Sequence, residues 1–266
     1  MLDVQQRGRL AVIKKIVEGS ESGFYDLPQE VRDAATWFPT FTERVKELRQ
    51  KMEDVDPGKR QAAYIDATVT ALKTGRPIPD ASEMTKARDA WGDLDYQVRV
   101  LRDTEESVAS AAISTVAKHA ETIVDYLRPR LEQILAEAKD CAGLLHGMTT
   151  AQEVMSSQNI ETIRAWMDLQ RLSVSRAAIR GAYDSLKRLW GYTTQDINGL
   201  FMSYRNGDAL RPAPGKPIPT FEDGAERLAW EVANDAEVWL PLAHEQDDAL
   251  ADYVARTKAK TAPVAV

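Results

Sequence analysis

The chain has 266 residues, enough for one large domain or two modest ones with a core that needs no covalent staples. Its 34 Lys and Arg against 41 Asp and Glu give a formal charge of −7, which excludes a chain-wide basic coat for nucleic acid and leaves only a local basic face open. The one cysteine, Cys141, excludes an intrachain disulfide and a cysteine-based zinc site and fits a reducing compartment. No basic-then-apolar leader opens the sequence, and the uncharged stretch at 107–117 is about half a membrane span. The expected location is therefore cytoplasmic, with no membrane contact.

An amphipathic helix is expected over 4–17. Helix starts then recur where a cap acceptor stands three residues before Glu or Gln: Asp26 with Gln29, Thr40 with Glu43, Asp80 with Glu83, and Thr150 with Glu153. Asp56 followed by Pro57 adds a cap with proline at the first helical position, and Thr193 and Thr220 are weaker starts. Alternating β-branched runs between turn dipeptides are absent, so the fold class is all-α. Within residues 1–75, Phe38, Phe41, Val45 and Leu48 belong to an apolar seam that Pro39 is expected to divide between two short helices. Gly75 closes the next helix, and Pro77 and Pro79 make 76–82 a linker.

From Glu83 the helical pattern has no strong stop before about Leu145. Its stripe runs Leu94, Val98, Leu101, Glu105, Val108, Ala112, Val116, Ala120, Val124, Leu127, Leu131, Ile134, Ala138, Ala142, Leu145: 14 steps over 51 residues, or 3.64 per step. That is the period of a straight helix, with a bend expected at 125–129 where Pro129 removes a backbone bond. A second long helix is expected over 150–190, and the short connection at 147–150 predicts a long antiparallel, coiled-coil-like hairpin over 83–192. Residues 83–140 carry a net charge of −4 and residues 164–188 one of +4, so the arms are complementary. Small-residue runs at 107–113 and 173–179 are read as the places where they face each other. A short helix is expected over 193–207 and a proline-rich linker over 208–219. Acidic C-terminal helices follow over 220–256, with ten acids against two bases, and then a disordered tail over 257–266.

Catalytic signatures were sought by their chemistry. There is no phosphate-cradling glycine loop, dinucleotide fingerprint, nucleophile elbow or paired cysteine motif. His244, Asp248 and Asp252 share a helix face, but a zinc protease would need histidine at 248, so the set reads as a solvated acidic face. His119 lacks a catalytic neighbour, and His146 sits where a helix ends. No catalytic residue, metal or cofactor is assigned, and the chain is read as not an enzyme.

Two kinds of binding residue remain. Arg164, Arg171, Arg176, Arg180, Lys187 and Arg188, with aromatics nearby, form the one stretch suited to an anion or a nucleic-acid backbone. The −4 arm of the same hairpin is expected to neutralise it, which makes nucleic acid the lesser reading. The second helix has two apolar sides, Ile160, Ile163, Met167, Val174 and Ala178 on one and Leu169, Leu172, Ile179, Tyr183, Leu186 and Trp190 on the other. One can meet the first arm while the other needs a partner, and Leu172, Leu186 and Trp190 are taken as that partner's seat. The acidic C-terminal helices have two readings, a solvated cap over the bundle or a docking segment anchored by Trp230 and Trp239 for a basic partner.

The Pro-Ile-Pro linker at 77–79, the long alanine-rich acidic helix and the run of 127–138 resemble uncharacterised helical proteins encoded by tailed phages and prophages of actinobacteria. The likeness covers residues 60–145. It implies a virion-associated or assembly role, in the host cytoplasm or the virion, and transfers no catalytic residue. The expected function is thus that of a non-enzymatic helical assembly or scaffold protein acting through protein contacts, above all with copies of itself. A nucleic-acid-binding accessory protein using 164–188 and an enzyme of unrecognised class are the alternatives.

Overall fold

A computed structural model describes residues 2–190, 203–207, 209–210, 220–221 and 223–261. They form nine helices: α1 (Val4–Glu21), α2 (Gln29–Asp54), α3 (Pro57–Thr74), α4 (Ser82–Lys118), α5 (Ala120–Gly143), α6 (Ala151–Ser156), α7 (Ile160–Trp190), α8 (Gly224–Ala233) and α9 (Ala243–Thr261). The fold is all-α, and among the described residues the only β pairing is one antiparallel bridge between Tyr204 and Val238.

Local chemistry sets several of the helix ends. Asp56 accepts from the Gly58 amide at 2.8 Å to start α3, and Gly75, at φ 65°, ends it in the left-handed conformation that glycine adopts without a side-chain clash. Thr150 and Glu153 form the full reciprocal capping box of α6. At α8 the cap is Asp223, which accepts from the Ala225 amide at 2.7 Å, rather than Thr220.

Proline ends neither of the helices that contain it in their interior. Helix α2 runs unbroken through Pro39, so no helix starts at Thr40, and α5 runs unbroken through Pro129. Both prolines are on the exposed side of their helices, where water can take the carbonyl that loses its donor. The long helix instead breaks at His119 (φ −93°, ψ 8°), whose amide turns to the Val116 carbonyl at 3.2 Å in a tighter three-residue turn.

The chain divides into two units, each with parts of α1, α2 and α4. Unit 1 comprises Met1–Leu10 and Asp33–Thr115, and the linker at 76–82 lies inside it. Its seam is partly closed: Leu48 is buried, Phe38, Phe41 and Val45 are half-buried, and the rings of Phe38 and Phe41 stack at 6.2 Å. Unit 2 comprises Ala11–Arg32 and Val116–Val266, and the closely packed helix pairs, α5 with α7, α7 with α8, α5 with α8 and α6 with α7, all lie in it. Its interior is built from Ile16 and Leu27, from Ile123, Leu127 and Ile134 of α5, from Trp166, Leu169, Ile179 and Leu186 of α7, and from Leu228 of α8.

Thr162, near the start of α7, donates to the Leu144 carbonyl just past the end of α5 at 3.2 Å, so the two packed helices run antiparallel. The expected hairpin is shortened accordingly. Its first arm contributes only α5 and the last residues of α4, because residues 83–115 belong to unit 1 and Leu101 and Leu186 lie in different units. Small residues do permit a close approach, but with another partner: a Cβ on Gly224 would lie 2.8 Å from Ser173 Oγ, so α8 rests on α7 where the side chains are smallest. The expected tail is helical as far as Thr261, and residues 203–207 form turns and the bridge instead of a helix. The other residues of the expected 193–207 helix, Thr193 among them, and residues 211–219 of the expected linker lie outside the described residues.

Candidate functional site

Helix α7 carries most of the sequence-predicted site residues, and its geometry separates them. Leu172 and Leu186 are 4% and 0% exposed, packed inside unit 2. They are intrachain core, not a partner's seat, because α5 and α8 cover that side of the helix. The opposite side stays open, with Ile160, Met167 and Val174 at 66%, 60% and 58% exposure. A spacing of seven residues brings them back to one side of the helix every two turns. The side chain of Trp190 lies outside what the structure describes.

The six cations do not form one face. Arg164, Arg171 and Arg188 are exposed, and Arg171 pairs with Asp168 at 3.3 Å. Arg180 is half-buried, 3.6 Å from Asp184, 3.4 Å from the Trp239 carbonyl and 5.2 Å from the centre of the Tyr183 ring. Lys187 is buried with its ammonium 5.6 Å from the same ring. Arg176 is buried against Glu231, which is itself 1% exposed.

The Arg176 contact belongs to a closed ionic cluster that the sequence reading missed. Glu231 Oε1 accepts from Arg176 Nη2, from Tyr204 Oη at 2.7 Å and from Arg227 Nε at 3.2 Å, while Arg227 Nη2 donates to Tyr204 Oη at 3.1 Å. Burial, with Glu231 behind it, pushes the Tyr204 hydroxyl above its ordinary range; burial also pulls the Arg176 guanidinium down against the attraction of Glu231. The counter-charge of Arg176 thus comes from α8, while Arg171 and Arg180 pair within α7 with Asp168 and Asp184. A second clamp ties the residues after α8 to α5 and α7: Arg128 donates to the Leu240 carbonyl at 3.0 Å and to Glu245, and Tyr183 donates to the Pro241 carbonyl. No motif spacing encodes either clamp. The available signal was a lone glutamate on the apolar side of a short helix, between Leu228 and Val232 in the pattern.

The tryptophan anchors are engaged within the chain. Trp230 is half-buried, its ring centre 5.4 Å from that of Phe221 and 6.2 Å from that of Tyr204. Trp239 is half-buried beneath the Arg205 guanidinium at 4.9 Å. Within the same 220–256 segment, Leu228, Ala229 and Leu240 are buried. Among the described residues no group of three His, Cys, Asp or Glu side chains could hold a metal ion, and no helix is long and apolar enough to cross a membrane.

No family model matches the sequence, and no curated protein or solved structure matches it either.

Proposed function

We propose that the protein is a non-enzymatic helical assembly or scaffold protein that works through protein contacts, the first of them with copies of itself. The observation that carries this reading is the open side of α7. Its inner side is sealed by α5 and α8, yet Ile160, Met167 and Val174 face solvent on the same helix. A helix with two apolar sides and one of them covered within the chain is suited to covering the other between chains. Unit 1 adds a smaller face of the same kind, Ile65, Val69 and Leu72 of α3, all exposed. The likeness of residues 60–145 to proteins of tailed phages suggests a virion or its precursor as the larger assembly.

Sedimentation across a range of protein concentrations tests the reading. A mass of at least a dimer at micromolar protein, with no co-purifying nucleic acid, is expected. A monomer throughout would remove self-association, and an absorbance ratio showing bound nucleic acid would favour the alternative based on Arg164, Arg171 and Arg188, the exposed members of the basic set.

A further inference from the structure

We propose that the open side of α7 pairs with the same side of α7 in a second copy, antiparallel and about a two-fold axis that passes near Met167. The arrangement rests on the self-association proposed above and fixes what that reading leaves open, the orientation of the two copies and the number that the contact can join. Two rows of residues run side by side on the open face. The apolar row is Ile160, Met167 and Val174, evenly spaced over about 21 Å of helix and centred on Met167. The charged row is Glu161, Arg164, Asp168 and Arg171, all exposed, and its midpoint falls at residue 166. With a turn of about 100° per residue, the basic members stand about 40° and the acidic members about 100° from the apolar row, on one flank of it.

The charged row selects the partner. Read forward, its signs are minus, plus, minus, plus; read backward, they are plus, minus, plus, minus, so the row complements itself only when the second helix runs the other way. One two-fold axis serves both rows, because their centres differ by one residue, about 1.5 Å, which is within the reach of an arginine side chain. Ile160 then faces Val174 of the second copy and Met167 faces its own counterpart, while Glu161 comes opposite Arg171 and Asp168 opposite Arg164. A parallel pair in register would place each charge against its like. Within the chain the row is only half satisfied: Arg171 pairs with Asp168 at 3.3 Å, and among the described residues Glu161 and Arg164 make no side-chain ion pair. A contact of this kind uses the same patch on both copies and closes at two, so growth beyond a dimer needs a different surface.

Cross-linking in the full chain tests the orientation, with Cys141→Ser removing the natural thiol and a short bismaleimide as the probe. Met167→Cys should link to itself. Ile160→Cys and Val174→Cys should each fail to do so alone, since like positions then stand about 21 Å apart, and should link to one another when the two variants are mixed. Charge gives a second readout: Arg164→Glu/Arg171→Glu should weaken dimerisation about tenfold in sedimentation at low salt. The quadruple variant Glu161→Arg/Arg164→Glu/Asp168→Arg/Arg171→Glu rebuilds the row with every sign reversed and should recover the dimer, a rescue that a merely disturbed fold would not give. A wild type that is monomeric would overturn this pairing together with the self-association on which it rests. A dimer in which Ile160→Cys or Val174→Cys links to itself, in which Met167→Cys does not link, or in which the quadruple variant stays as weak as the double one would overturn the pairing and leave self-association standing.

Discussion

Glu231 shows how one residue organises unit 2. A carboxylate buried beneath two arginines is costly to desolvate, and its worth depends on all its partners being present. Removing it alone leaves Arg176 buried without its counter-charge, so Glu231→Leu should lower the unfolding free energy by about 3–5 kcal/mol in urea titrations. Combining it with Arg176→Met should recover most of that loss, because both charges then leave the interior together. Simple addition of the two single costs would contradict the account. A pair of glycines gives a second test at this scale. In α1, Gly8 has open space around the position of a Cβ, whereas a Cβ at Gly19 would run into the Tyr25 ring, 2.7 Å from Cζ. Tyr25 is fixed by its bond to the Ile16 carbonyl at 2.6 Å, and burial pushes its hydroxyl up to about 12. Gly8→Ala should stabilise by about 0.5–1 kcal/mol through helix propensity, while Gly19→Ala should destabilise; thermal melts of the two variants should therefore move in opposite directions.

Helices are the scale at which sequence and structure agree best, and the reasons are local. All fifteen positions of the 3.64-residue stripe between Leu94 and Leu145 are buried or half-buried, although the helix that carries them is broken at His119. Periodicity reports which side of a helix is covered, and it is indifferent to a one-residue break that keeps the phase. Caps at Asp56 and Thr150 and the stop at Gly75 were legible because each is a short-range hydrogen-bond or backbone requirement. Pro39 misled because its effect depends on exposure, which the sequence order does not give. If Pro39 and Pro129 are tolerated only because solvent takes the freed carbonyls, Pro39→Ala and Pro129→Ala should each raise the melting temperature, by the equivalent of up to about 3 kcal/mol. No change in either would mean that the helices gain nothing from a restored amide there.

At the scale of the molecule, the partners of α7 were not legible, since complementary charge names no address. The basic helix was matched to the acidic arm before it in the chain; the structure gives Arg176 to Glu231, 55 residues on, and Arg128 of α5 to Glu245. The same uncertainty attached to its two apolar sides. Both were visible as stripes, and which one needed a partner depended on α8, whose arrival over Ser173 follows from Gly224 and not from any pattern in α7. Substitutions on the two sides should therefore behave differently. Leu172→Glu with Leu186→Glu places unpaired charge in the core of unit 2 and should abolish its cooperative unfolding, as read by circular dichroism against urea.

Sedimentation of the wild type beside Met167→Glu/Val174→Glu, with helicity followed in parallel, tests self-assembly most directly. Both residues are exposed, so the variant should keep the helicity and melting behaviour of the wild type, and its mass should fall to that of a monomer at protein concentrations where the wild type is at least a dimer. A wild type that is monomeric at every concentration, or an oligomer that the two glutamates leave intact, would contradict the account.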